Sequence, residues 1–172
     1  MSDPTSDASG GPAMDLLRLI AALNELQATV ATAESLTGGL VGAALTDVPG
    51  VSSVYRGGAV VYATELKATL AGVPSALLDE VGPVHPDTAA AMASGVRDRL
   101  GATYGIATTG VAGPDPQDGH PAGEVYVAAA GPFGVRVEGL QLSGDRPAIR
   151  AGAVAAAIQL AADLVESDLL TP

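Results

Sequence analysis

The sequence contains no cysteine and no tryptophan, one phenylalanine, and a single lysine. Without cysteine there is no disulfide framework, no thiolate nucleophile and no Cys-ligated zinc or iron–sulfur centre. Aromatic residues make up only 3% of the chain, so a core must be assembled from Ala, Val, Leu and Ile. Basic residues are scarce as well: eight Lys and Arg stand against nineteen Asp and Glu, a formal net charge of −11. So acidic a chain lacks the basic face that non-specific binding to nucleic acid or to an anionic membrane surface requires. No apolar run approaches the roughly 20 residues of a membrane helix without a charge, glycine or proline interrupting it. The first residues have no apolar h-region, so no signal peptide is read there and a cytoplasmic location is expected.

What is present fits one domain: 172 residues, 48% of them hydrophobic, are enough to bury a core. Residues 1–12 are polar and rich in Ser, Asp and Gly and read as a disordered tail, leaving 13–168 as the domain. From Ala13 the apolar residues Leu16, Leu17, Ile20, Leu23 and Leu26 recur at helical spacing. Thr29–Ala33 is a β-branched alternating strand, followed after Gly38-Gly39 by a helix over Leu40–Thr46. Val54–Val61 is the next strand, with Gly57-Gly58 marking a bulge or a close backbone approach. A helix capped by Thr64, a short helix over Ser75–Val81 and a longer one over Pro86–Leu100 follow. Strands at Tyr104–Thr109, Glu124–Ala130 and Val135–Leu142, then an Ala-rich helix over Arg146–Leu164, complete the chain. Helices alternate with strands early and two strands come back to back late. That order predicts an α/β fold, a three-layer α/β/α sandwich with a mixed sheet.

Chemistry concentrates at two places. Ser35 sits where a strand ends and a glycine-containing helix start begins; such a corner presents backbone N–H groups and a partial positive charge able to hold an anion or a developing oxyanion. The same corner is also what a capping Ser35 or Thr37 would produce. Lys67, the lone lysine, lies near the start of a predicted helix, where the dipole and partial burial both disfavour the ammonium form. A neutral lysine beside a serine hydroxyl is a competent general base, whereas a solvated helix-start lysine would do nothing. Tyr62, five positions earlier, is placed either to relay a proton or simply to line the strand end. Arg146 and Arg150, one helical turn apart, suit a phosphate or carboxylate, or equally pair with surface acids. His85 and His120 show no metal-ligand spacing, Asp115 and Asp118 read as solvated loop acids, and no metal or cofactor is expected. The GGxxG of Gly38-Gly39-Leu40-Val41-Gly42 departs from a dinucleotide fingerprint, and no Walker A sequence occurs.

These residues resemble a known family. Thr32-Ala33-Glu34-Ser35-Leu36-Thr37-Gly38-Gly39 is similar to the TAES-x-TGG signature of the CinA C-terminal family, the nicotinamide-nucleotide amidases. The likeness continues through Arg56–Tyr62 to Lys67, then Thr109–Pro114, Pro121–Val125, Ser143–Arg146 and Arg150, covering Met14 to Leu164. The resemblance implies hydrolysis of the carboxamide of nicotinamide mononucleotide to nicotinic acid mononucleotide and ammonia. It implies a Ser35–Lys67 pair with Tyr62 at the same site, and no metal. Substrate contacts are expected at Glu34, Thr37, Gly38, Gly39, Thr109, Gly110, Gly113, Arg146 and Arg150, with the oxyanion held by N–H groups near Thr37–Gly39. The expected partner is a small-molecule nucleotide, and a homo-oligomer is expected. Longer members carry an extra nucleotide-pyrophosphatase-like domain, which this sequence does not show. The chain departs from the family at Gly82–Pro86, where a serine is usual, and at Asp115–His120, which lacks a lysine near Pro121. Three other readings stand beside the amidase: a catalytically silent nucleotide-binding module, an amidase or esterase for another small amide, and a nucleotide-binding oxidoreductase.

Overall fold

A computed structural model describes residues 11–171, so most of the expected tail lies outside the described residues; Pro12, assigned to that tail, opens a helix instead. In chain order the elements are α1 (Pro12–Glu25), β1 (Val30–Glu34), α2 (Leu40–Thr46), β2 (Tyr55–Val60), α3 (Thr64–Thr69) and α4 (Ser75–Val81). Then come α5 (Pro86–Arg99), β3 (Tyr104–Gly110), β4 (Glu124–Gly131), β5 (Gly134–Gln141) and α6 (Arg146–Leu169). Proline stands in the first turn of α1, α5 and α6, where its missing N–H costs nothing. Asp145 caps α6 by accepting from Ala148 N–H, and His85 caps α5 by accepting from Asp87 N–H. Thr64 does not cap α3: it is the first helical residue, and Ala63 holds the cap position.

The sheet runs β2-β1-β3-β4-β5, with β2, β1 and β3 parallel and β4 and β5 antiparallel. This is the α/β/α sandwich with a mixed sheet. One core lies between the sheet and α1, α2 and α6, and a second between the sheet and α3, α4 and α5. In β2 the register skips Arg56, so Val30 faces Tyr55 while Ala31 faces Gly57, the bulge expected near Gly57-Gly58.

A core nearly free of aromatics closes by bringing backbones together. Ala31, Ala33, Ala107, Ala128 and Ala130 cover the sheet beneath α5. A Cβ on Gly95 of α5 would stand 1.8 Å from the Ala71 carbonyl oxygen, so only glycine admits this approach. Helix α6 is long and apolar enough in composition to cross a membrane, but here its Ala153, Ala157 and Ala161 are buried in the core shared with α1 and β4.

Topology also places the site. Strand β1 has β2 on one side and β3, reached by the long crossover through α3–α5, on the other. In such sheets a crevice opens outside the carboxyl ends of the strands where the chain order reverses. Here those ends are Glu34-Ser35, Val61-Tyr62 and Thr109-Gly110.

Candidate active site

Ser35 follows the last residue of β1, and alternation along the strand sends its side chain opposite to that of Glu34. Glu34, 2% exposed, turns into the start of α2: its carboxylate accepts from the N–H groups of Gly39, Val41 and Gly42 and from the Thr37 hydroxyl at 2.6–3.0 Å. Thr37 also pairs with the Thr108 hydroxyl. The helix N-terminus is therefore already filled by a carboxylate of the chain itself. Gly38 N–H is held by the Ser35 carbonyl, so the expected oxyanion donors at Gly38 and Gly39 are both committed. A pyrophosphate at this corner would meet the same occupied donors, which removes the anchor of the oxidoreductase reading.

Ser35 is 8% exposed and Lys67 only 2%, making Lys67 one of the largest buried side chains in the protein. Its Nζ lies 3.1 Å from Ser35 Oγ, 2.9 Å from the Val61 carbonyl oxygen and 3.5 Å from that of Tyr62. Burial pushes the amine down from 10.5 to about 8, with Glu65 acting weakly the other way. The cause is desolvation rather than the helix dipole, since α3 has six residues and Lys67 stands in its last turn. In the neutral amine, the N–H groups face the two backbone carbonyls and leave the lone pair for the Ser35 hydroxyl. Two strand ends thus bring a buried amine within hydrogen-bonding distance of a serine hydroxyl.

The cavity over this pair is lined by Ser35, Leu36, Tyr62, Lys67, Thr109, Gly110, Gly113 and Arg146, and also by Thr64, Pro83, Val84, Asp115 and Gln117. Tyr62 is 58% exposed, and its hydroxyl accepts from Arg146 rather than meeting the lysine; only its carbonyl approaches Nζ. Arg146 also donates to the Gly113 carbonyl, so it spans the cavity from the Tyr62 side to the Thr109–Pro114 loop. Thr109 donates to the Pro83 carbonyl at 2.6 Å and is fully buried, tying β3 to the segment before α5. Gly110, at φ 151°, is required there: a Cβ would stand 2.5 Å from the Glu124 carbonyl oxygen.

Several residues expected at the substrate are placed elsewhere. Glu34, Thr37, Gly38, Gly39 and Arg150 do not line this cavity. Glu34 and Thr37 shape the turn, Gly38 and Gly39 supply its left-handed backbone, and Arg150 holds the carbonyls of Leu36 and Thr37 from behind. Asp115 is exposed, as expected of a loop acid, and it also borders the cavity, as does the Pro83-Val84 segment that departs from the family pattern. No periodicity marks these residues. The only available signal is that Asp115 lies in the loop joining β3 to β4, whereas Pro83-Val84 lies between α4 and α5. His120 lies 3.1 Å from the Glu124 carboxylate.

Comparison with known proteins agrees with this architecture. A CinA-like protein of Frankia casuarinae is 56% identical over 138 residues, covering 80% of this chain and 32% of its own length. A putative competence-damage inducible protein of Desulforamulus reducens is 47% identical over 133 residues, 77% of this chain and 32% of that protein. The chain thus spans about a third of the length of these curated relatives. Among solved structures, the competence/damage inducible protein CihA of Agrobacterium tumefaciens superposes with a TM-score of 0.85 at 33% identity, over 93% of this chain and 99% of that one. A CinA superfamily protein of Enterobacter cloacae reaches a TM-score of 0.87 at 30% identity, over 97% and 98% of the two chains. The family model for the CinA C-terminal domain matches residues 16–165, and the chain belongs to that family.

Proposed function

We propose that this domain is a serine–lysine amidohydrolase that cleaves the carboxamide of nicotinamide mononucleotide, giving nicotinic acid mononucleotide and ammonia. The observation that carries the reading is a buried Lys67 amine, lowered to about 8, held 3.1 Å from Ser35 Oγ at a strand-end cavity. Lys67 takes the Ser35 proton as Oγ attacks the carboxamide carbon, and the carbonyl electron pair moves onto oxygen. Collapse of that intermediate breaks the C–N bond, and the proton on Lys67 leaves with the amide nitrogen as ammonia. Water then attacks the ester, giving its proton to Lys67. Collapse releases the carboxylic acid and returns the proton to Ser35.

Arg146 borders the cavity and, as a guanidinium, unlike Lys67, stays charged at every pH of interest, so the phosphate is assigned to it; Arg150 does not line the cavity. Asp115 supplies the opposite charge at the same mouth, a combination suited to a ligand carrying both a phosphate and a cationic pyridinium ring. Ammonia release from nicotinamide mononucleotide tests the reading on wild type, Ser35→Ala and Lys67→Ala. Activity in wild type, with a loss of at least about a thousandfold in both variants, is the expected result. Binding that raises the melting temperature without ammonia release would replace it by a silent nucleotide-binding module. Turnover of other small amides alone would leave the dyad and change the substrate.

A further inference from the structure

The turn that presents Ser35 is clamped from within the molecule by a charged group that does not line the Ser35 cavity. Arg150 projects from the second turn of α6, Nε donating to the Leu36 carbonyl at 2.9 Å and Nη2 to the Thr37 carbonyl at 3.0 Å. Nη2 also stands 3.3 Å from where a Cβ on Gly38 would lie, so the glycine makes room for the guanidinium. Three further groups of the turn are engaged: Ser35 carbonyl by Gly38 N–H, Thr37 carbonyl also by Leu40 N–H, and Gly39 N–H by Glu34.

Two N–H groups of this turn, those of Leu36 and Thr37, donate to no described residue. Thr37 is fully buried and does not border the cavity, whereas Leu36 does, immediately after the nucleophile. A backbone N–H in that position is well placed to meet the oxygen that becomes negative when the serine attacks a carbonyl.

Building on the amidohydrolase reading above, we propose that Arg150 is a positioning residue: it holds the Leu36 and Thr37 carbonyls so that the Leu36 N–H stays aimed at the developing oxyanion. A guanidinium suits the task because its planar fork reaches two adjacent carbonyls at once, which an ammonium does as a point charge only. The peptide units it binds are those of the Thr37 and Gly38 N–H groups, so Arg150 acts on the Leu36 N–H by fixing the backbone that follows it.

The test compares wild type with Arg150→Met, Arg150→Lys and Arg150→Ala, the last with and without added methylguanidinium. Each is assayed for ammonia release from nicotinamide mononucleotide and for the rate at which a fluorophosphonate phosphonylates Ser35. Arg150→Met is expected to lower kcat by roughly tenfold to a hundredfold, below the 10²–10³ measured for outright loss of an oxyanion donor, with KM unchanged within about threefold. The pH midpoint should stay with Lys67, Arg150→Lys should retain part of the rate, and methylguanidinium should restore part of it to Arg150→Ala. Fluorophosphonate labelling should fall in parallel. Full rate in Arg150→Met, or a raised KM with kcat kept, overturns the proposal, and so does loss of labelling that methylguanidinium does not reverse while the folded content is unchanged. If wild type releases no ammonia yet is labelled, the substrate assignment fails alone and the labelling rates still decide the role of Arg150. A wild type that is not labelled at all overturns both.

Discussion

The dyad makes a quantitative prediction through the titration of Lys67. With the amine at about 8, its neutral fraction is about 1% at pH 6, about 9% at pH 7, half at pH 8 and about 90% at pH 9. Ammonia release at limiting substrate should therefore rise roughly fiftyfold from pH 6 to pH 8 and level off above pH 9. Stability must follow the same group. The folded value lies below the unfolded 10.5, so between about 8 and 10.5 the unfolded chain binds the extra proton and stability rises with pH. Below about pH 8 the buried ammonium costs on the order of 3 kcal/mol relative to a neutral amine, from 1.36 kcal/mol per unit. Wild type should thus gain about 2 kcal/mol on Lys67→Met between pH 7 and pH 9.5, about 4–8 °C in melting temperature for a domain of this size. The assays are a pH–rate profile and paired thermal melts of the two proteins in buffers of matched ionic strength. A rate flat from pH 6 to 9, or melting curves that stay parallel across the range, would refute the buried-base argument.

Three other perturbations separate the roles found here. Glu34→Gln replaces a carboxylate that accepts three backbone N–H groups by an amide whose NH2 faces donors; a loss of about 3 kcal/mol is expected, and a melting temperature within 2 °C of wild type would contradict the assignment. Gly95→Ala should destabilise by more than about 2 kcal/mol although alanine is the better helix former by ~1 kcal/mol, because its Cβ would fall 1.8 Å from the Ala71 carbonyl oxygen; a denaturant midpoint equal to or above wild type would show that α5 yields. Tyr62→Phe should keep kcat within about fivefold, since the backbone carbonyl and not the phenol approaches the lysine, while removing an acceptor of Arg146; steady-state kinetics showing a hundredfold loss of kcat would make the phenol part of the proton path.

Much of the scaffold was legible in the order of hydrophobic patterns. The elements from α1 to α6 follow from helical spacing, β-branched runs and turn residues, and the late pair of strands announced a mixed sheet. The ends were less legible: β1 extends to Glu34 and α6 to Leu169, each beyond the expected span. Burial against neighbours, not local propensity, decides whether a terminal turn or strand residue stays ordered. At the site, Ser35 and Lys67 stood out by residue type and position. The partners of Glu34 and Arg150 did not, because a carboxylate or guanidinium binding its own backbone leaves no sequence pattern distinct from one that binds ligand.

The sequence by itself determined composition, layer order and a candidate pair, a serine at a strand end and the single amine of the chain, since these depend on local pattern and side-chain chemistry. Only the tertiary structure decided what each charged group faces. It turned Glu34 and Arg150 inward onto the turn around Ser35, left Arg146 and Asp115 at the cavity, and removed Lys67 from water. Desolvation and hydrogen-bond satisfaction are properties of the surroundings in space, and residues far apart along the chain supply them.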